Sequence, residues 1–303
     1  MAKISVLTSL YNCDQYLTGY FDALNKITNL YEVEVLLLHN EPSESELFLI
    51  KEAITCLPFV RHIVIPKRES LYATWNRGIK LANGKYIAVW NVDDVRIPNS
   101  LFLQSKTLDE HPEETMTYGD MILNTKYGST AGKLVQAPAY PIKKFDFLRS
   151  HYIGCFPMWR KEIHNILGYF DEQFRLVGDY EFQIRVVRAF PLVKTEALIG
   201  YYLTSVPSKL SSNSSIQNIE RTAVEVRYGV FDKMNLLYII KAIYKHKIFV
   251  LYWLNSKYLV SNFFNNYFVF ILIRIPLIIF SFLYLPLNIV RHFKRYFINN
   301  THN

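Results

Sequence analysis

Cysteine is nearly absent: Cys13, Cys56 and Cys155 are the only three in 303 residues, far apart and without CxxC or Cys/His spacing. That excludes a disulfide framework and a structural zinc site and suits a reducing compartment. The eight histidines show no ligand spacing either. A secretory signal is not expected, because "MAKISVLTSLYN" has no apolar h-region or small-residue cleavage site and reads as a first strand. No internal repeat is visible. Acids vanish after Asp232, while nine Lys and Arg follow it (233, 241, 245, 247, 257, 274, 291, 294 and 295). The remaining 25 basic residues stand against all 26 acids, so the net charge of +8 belongs to the C-terminal stretch.

What is present is apolar and aromatic, 50% and 16% of residues, enough for a sizeable core and against wholesale disorder. Short continuous apolar runs at 4–9, 33–38, 60–65 and 86–90 read as strands covered on both faces. Helical segments over 14–28, 43–56 and 71–82 alternate with them. "PSESE" gives a capped acidic helix start and "NGK" a glycine stop. Strand-helix alternation predicts the α/β class with a doubly wound, mainly parallel sheet, in which ligands bind at the carboxyl ends of the strands. Further on, "TMTYGDMILNT" reads as a strand turning into a hairpin and 128–141 as a long loop. Residues 178–190 read as a helix, 192–204 as a strand and 205–215 as a polar loop.

Asp93 and Asp94 follow the run "YIAVW" directly. Adjacent carboxylates at a strand end suit a shared hard divalent cation, which takes oxygen ligands. The other reading is a turn whose Asp caps the helix opening near Pro98. By itself the pair does not choose between them.

The stretch 267–290 is apolar but interrupted by Arg274, Pro276 and Pro286. A charge there costs about 2.5–3.5 kcal/mol on insertion scales, which favours an interfacial or re-entrant element over a spanning helix or an oligomer interface. An acid-free tail with interleaved aromatic and basic residues fits an anionic membrane surface. Nucleic acid is not expected, since long aliphatic runs make a poor phosphate-binding face.

Four ordered motifs then bear on each other: "ISVLTSLYN", "WNRGIKLANGKYIAVWNVDD", "LGYFDEQF" and "GDYEFQIR". Over roughly residues 3–215 the chain resembles family 2 glycosyltransferases. The resemblance implies a GT-A fold over 1–215: a Rossmann-like nucleotide-sugar half (1–120) joined to an acceptor half (121–215). It implies an inverting enzyme that uses a nucleotide-sugar donor, with uridine first and guanosine or thymidine open, and Mn²⁺ or Mg²⁺ as cofactor. The basic, apolar stretch beyond it reads as a helical membrane-associated tail at 216–303, and that tail suggests a glycan or lipid-linked acceptor at the cytoplasmic face of the membrane.

Carried over residue by residue, Asp93 and Asp94 match the metal part of the DxD-type motif. Asn91 stands where its first Asp usually does and becomes a donor contact. Asp179 matches the catalytic base, with Gly178 replacing the usual Glu and Glu181 a weaker candidate. Thr8, Ser9 and Asn12 fall at the nucleotide-contacting first turn. His39 and Asn40 replace an Asp-Asp pair that often meets the base, a departure that leaves the nucleobase open. Asn76 is either a donor contact or a tie between elements. Trp159 lines the acceptor site or fills core, and Lys67 and Arg68, just after the third strand, either reach the nucleobase or are solvated surface, the second being preferred. Lys209, in the 205–215 loop, is either a lid clamp on the diphosphate or part of a linker. A sugar-1-phosphate nucleotidyltransferase is disfavoured, because "TSLYNCDQY" lacks a glycine-rich basic loop. The non-enzymatic alternative is a degenerate GT-A module that binds a nucleotide or partner at the membrane.

Overall fold

The four apolar runs form β1 (Ile4–Leu10), β2 (Val33–Asn40), β3 (Val60–Ile65) and β4 (Tyr86–Val89), parallel in the order β3-β2-β1-β4. Every residue of β2 is buried, as expected of an inner strand covered on both faces. The edge strand β3 buries only its two end residues fully. The computed structural model describes residues 2–140, 147–148, 150–204 and 214–228, and beyond these 238, 242, 245–246, 250–253, 256–259 and 279.

The connecting helices are α1 (Asp14–Leu24), α2 (Glu44–Ile54) and α3 (Leu71–Leu81). Ser43 and Glu46 close a full capping box on α2, and Ser70 accepts from the Ala73 amide on α3. Helix α1 stops four residues earlier than its periodicity predicts, and Asn29 then turns the chain at φ 57°. Gly84 has a different reason from the helix stop read in the sequence. A Cβ there would lie 2.6 Å from the Ser5 amide nitrogen, so glycine lets the chain approach β1 closely.

Beyond β4 the sheet becomes mixed, through β5 (Val95–Arg96), α4 (Ser100–Glu110), β6 (Met116–Asn124), β7 (Lys133–Val135), β8 (Met158–Arg160), α5 (His164–Leu167), α6 (Gly178–Ala189) and β9 (Leu192–Leu203). Its order continues β4-β8-β6-β9-β5, with β7 paired on β6. The expected loop at 128–141 therefore contains a strand. β7 is three residues long, largely exposed and paired on one side only, so it leaves no hydrophobic signature.

The chain divides into two compact units, Met1–Glu172 with Gly178–Ser208, and Gln173–Val177 with Lys209–Asn303. Within the second, Glu220 of α7 (Ser214–Tyr228) accepts from the Arg175 and Leu176 amides, and Phe174 stacks on His246. This unit also contains an antiparallel pair, β10 (Val250–Trp253) and β11 (Ser256–Leu259), so the tail is not helical throughout. The β-branched and aromatic residues of "VLYW" and "KYL" account for the pairing. Among the described residues no helix is long and apolar enough to cross a membrane. Apart from position 279, the stretch 267–290 lies outside the described residues.

Candidate active site

At the end of β4 the chain makes a turn closed by the Asp94 amide on the Asn91 carbonyl at 3.0 Å. Asp94 is 1% exposed. Its Oδ2 accepts from the Asn91 side-chain amide at 3.1 Å and its Oδ1 from the Leu203 amide at 3.1 Å. From below, the Trp90 indole N–H donates to the Asp94 carbonyl at 3.0 Å, and the Trp90 ring packs on Tyr20, whose hydroxyl bonds Thr8 at 2.7 Å. The turn is thus braced from both β1 and β9. Arg96 lies wholly buried beside it, bonded to the Val89 carbonyl and Gln104. Burial pulls the guanidinium down to about 10, against the charge of Asp94 and others. Asp93 is half-buried on the same turn. Asp94 does not cap α4, which begins at Ser100 after Asn99.

Whether this turn suits a divalent cation is answered by its donors and its charge. The Tyr127 hydroxyl is buried beside the pair without a hydrogen-bond partner. Burial, then the charges of Asp93 and Asp94, push this phenol upward. The turn therefore gathers the negative charge of two adjacent carboxylates, with the buried Arg96 guanidinium beside Asp94. Among the described residues no three His, Cys, Asp or Glu converge. Two carboxylates, with phosphate and water completing the shell, is a set that Mg²⁺ and Mn²⁺ accept. The residues fit.

At the ends of β1 and β2 the structure separates the candidates. Thr8 is fully buried, Ser9 half-buried and Asn12 exposed at φ 47°. His39 is fully buried, with its ring nitrogens 3.1 Å from His62 and 3.3 Å from Glu46. Burial holds the imidazole below its ordinary range. Burial raises the Glu46 carboxyl, but amide bonds from Ser43 and Cys13 and the His39 contact outweigh it and hold it at about 2. Asn40 is 3% exposed and uses both ends of its amide, on Thr74 and on the Glu69 amide. Both side chains lie inside the edge: Asn40 braces the loop before α3, and His39 ties β2 to β3 and α2. Asn76 likewise donates to the Phe170 carbonyl and Glu172 and accepts from the Phe170 amide. These are the bonds of a tie between α3 and the 167–174 segment. At this edge the exposed Arg68 lays its guanidinium 3.6 Å over the ring of the half-buried Tyr11. Tyr11 went unsingled in the sequence because one tyrosine among 22 carries no pattern.

Asp179 sits in the first turn of α6 with its side chain about one-third exposed. Its Oδ1 accepts from the Tyr72 hydroxyl at 3.2 Å and the Tyr180 amide at 2.8 Å. Tyr72 is buried in the first turn of α3; burial and then the Asp179 charge hold its phenol well above the usual range. Parallel topology puts the first turn of α3 on the carboxyl edge of the sheet, the edge that also bears Asp93 and Tyr11. Gly178 is explained by the same tyrosine, since a Cβ there would lie 2.6–2.8 Å from the Tyr72 ring. Glu181 points elsewhere: 1% exposed, it pairs with Arg185 at 2.8 Å. Trp159 is core, 1% exposed, with its indole N–H donated to His164. Lys209 lies outside the described residues.

The model of Glycosyl transferase family 2 matches residues 5–167, more than half of the chain. The chain belongs to that family. A glycosyltransferase of Rickettsia felis without an assigned reaction is 22% identical over 202 residues, which span 65% of this chain but only 33% of the Rickettsia protein. One from Methanocaldococcus jannaschii is 24% identical over 215 residues, 69% of this chain and 73% of its own. Among solved structures, Staphylococcus aureus TarS 1–349 in complex with UDP-GlcNAc superposes with a TM-score of 0.58 at 17% identity, over 80% of this chain and 71% of that one. The mannosyltransferase PcManGT of Pyrobaculum calidifontis, in complex with GDP-Man and Mn²⁺, gives 0.53 at 13% identity, over 81% and 65%. The fold of this family 2 chain is therefore GT-A: a mixed, mostly parallel sheet with flanking helices.

Proposed function

We propose that the chain is an inverting glycosyltransferase that moves a sugar from a nucleoside diphosphate to an acceptor hydroxyl. The observation that carries this reading is the Asp179 carboxylate. Two hydrogen bonds fix its Oδ1, and among the described residues no hydrogen bond reaches Oδ2. Such a group is a positioned base. The acceptor oxygen attacks the anomeric carbon from the face opposite the diphosphate. Its proton passes to Oδ2 as the carbon–oxygen bond to the diphosphate breaks, and that electron pair leaves with the phosphate. Asp93, with Asp94 beside it, would hold Mn²⁺ or Mg²⁺, which when bound supplies positive charge to the leaving diphosphate. Asn91 supports the turn through Asp94, and the Tyr11–Arg68 pair offers a flat cationic platform for the nucleobase.

Uridine and guanosine donors both have precedent in the TarS and PcManGT complexes. Detergent-purified protein should release nucleoside diphosphate from one member of a sugar-nucleotide panel with Mn²⁺ and not with chelator. Turnover unaffected by chelator would remove the metal from the reading. If no sugar nucleotide were turned over or bound, a nucleotide-free binding module would take its place.

The acid-free tail extends the proposal to a glycan or lipid-linked acceptor at the cytoplasmic membrane surface, held there by its nine positive charges and aromatic residues. The full chain should co-sediment with phosphatidylserine-containing vesicles and come off at high salt. Equal binding to neutral vesicles would exclude the electrostatic part.

A further inference from the structure

The segment before β8 is held to α6 by two side chains: the Tyr180 hydroxyl donates to the Leu148 carbonyl at 2.8 Å, and Gln183 makes the larger set of bonds. Gln183 is fully buried, its Oε1 accepting from the Tyr152 amide at 3.0 Å and the Ile153 amide at 3.3 Å. Its Nε2 donates to the Ser150 carbonyl at 2.9 Å and to that of Phe147. A single glutamine therefore grips the backbone on both sides of His151. Gln183 lies four residues after Asp179, one turn along the same helix face. The result is that the His151 ring is presented to Asp179, with Nε2 3.8 Å from Oδ2. That nitrogen is buried and has no hydrogen-bond partner among the described residues. A buried polar atom without a partner is costly and uncommon, so its direction calls for a reason.

The two oxygens of Asp179 are then not equivalent. Oδ1 is anchored by Tyr72 and the Tyr180 amide, whereas Oδ2 faces the His151 ring and accepts no hydrogen bond from the described residues. At 3.8 Å no hydrogen bond exists, and closing by about 1 Å would make one. Catalytic hydrogen bonds are often long without substrate and tighten when it binds. We infer that His151 is a positioning residue for Asp179, its Nε2 fixing Oδ2 as the oxygen that takes the acceptor proton. The role needs Gln183 to hold the segment and Gly178 to leave room for Tyr72, so it accounts for three residues together. This inference rests on the transferase reading above.

The test uses the full-length protein with UDP-GlcNAc and GDP-mannose as probes in Mn²⁺, following nucleoside diphosphate release for His151→Ala, His151→Gln, His151→Asn, Asp179→Asn and the H151A/D179N double variant. His151→Ala should lower kcat roughly 10- to 100-fold, the range of one hydrogen bond to a charged group, with donor KM unchanged. Glutamine, whose amide nitrogen can reach the position of Nε2, should restore most of the loss; the shorter asparagine should not. On the Asp179→Asn background the alanine change should add nothing, since the effect passes through that carboxylate. Full kcat in His151→Ala, beside an inactive Asp179→Asn, would overturn this inference and leave the transferase reading intact. A loss that persists on the Asp179→Asn background, or that comes with a lowered Tm and a raised KM, would make His151 merely structural. If the unaltered protein turned over and bound neither these probes nor any other member of the sugar-nucleotide panel, the transferase reading would be set aside and this inference with it.

Discussion

Asp179→Asn is expected to lower transfer kcat by about 10²–10⁴, the span of a positioned general base. Donor KM and Tm should stay at their original values. The substitution keeps the shape and the Oδ1 acceptor for Tyr72 and the Tyr180 amide, so the helix start is preserved. What it removes is the basicity of the second oxygen, which carries an amide NH₂ in the variant. Steady-state kinetics with the donor found in the panel would check this. A residual rate within a few-fold of the original would move the base elsewhere. Glu181 is not the reserve, because it is 1% exposed and closed by Arg185 at 2.8 Å.

The second large effect separates the two aspartates of the turn. Asp93→Asn should cut metal-dependent turnover by about 10²–10³, the scale of losing one electrostatic contact to a developing charge, with a smaller loss of Tm than at the more buried Asp94. Asp94→Asn should instead destabilise the fold by about 1–3 kcal/mol, because its buried carboxylate accepts from both Asn91 and Leu203. An asparagine can accept only once in that geometry and sets its own N–H groups against a donor. Thermal melts beside donor turnover would read the two apart. Equal loss of stability in both variants, with turnover per folded molecule unchanged in Asp93→Asn, would remove Asp93 from the metal reading.

The sequence alone determined the class of fold and the place of the acidic turn. Continuous apolar runs must be strands covered on both sides, and their alternation with capped helices leaves a parallel sheet as the way to bury them. That logic placed β1 to β4 within a few residues and put Asp93 and Asp94 at a ligand-binding edge. Ordered motifs placed the chain in its family and singled out Asp179. The roles of individual polar residues were decided elsewhere. His39, Asn40, Asn76 and Trp159 look the same in a sequence whether they meet a ligand or a neighbour. Burial places all four inside the protein, and Asn40 and Asn76 bond residues far along the chain, as in the bond from Asn76 to Phe170, 94 positions away. The partners of Asp179 were equally out of reach: Tyr72 is 107 residues from it, and His151 comes from a stretch without periodicity. Local sequence fixes what a segment can become, through backbone preference and hydrophobic period. Which side chains then share one carboxylate depends on where the sheet brings distant segments together, and only the packed chain decides that.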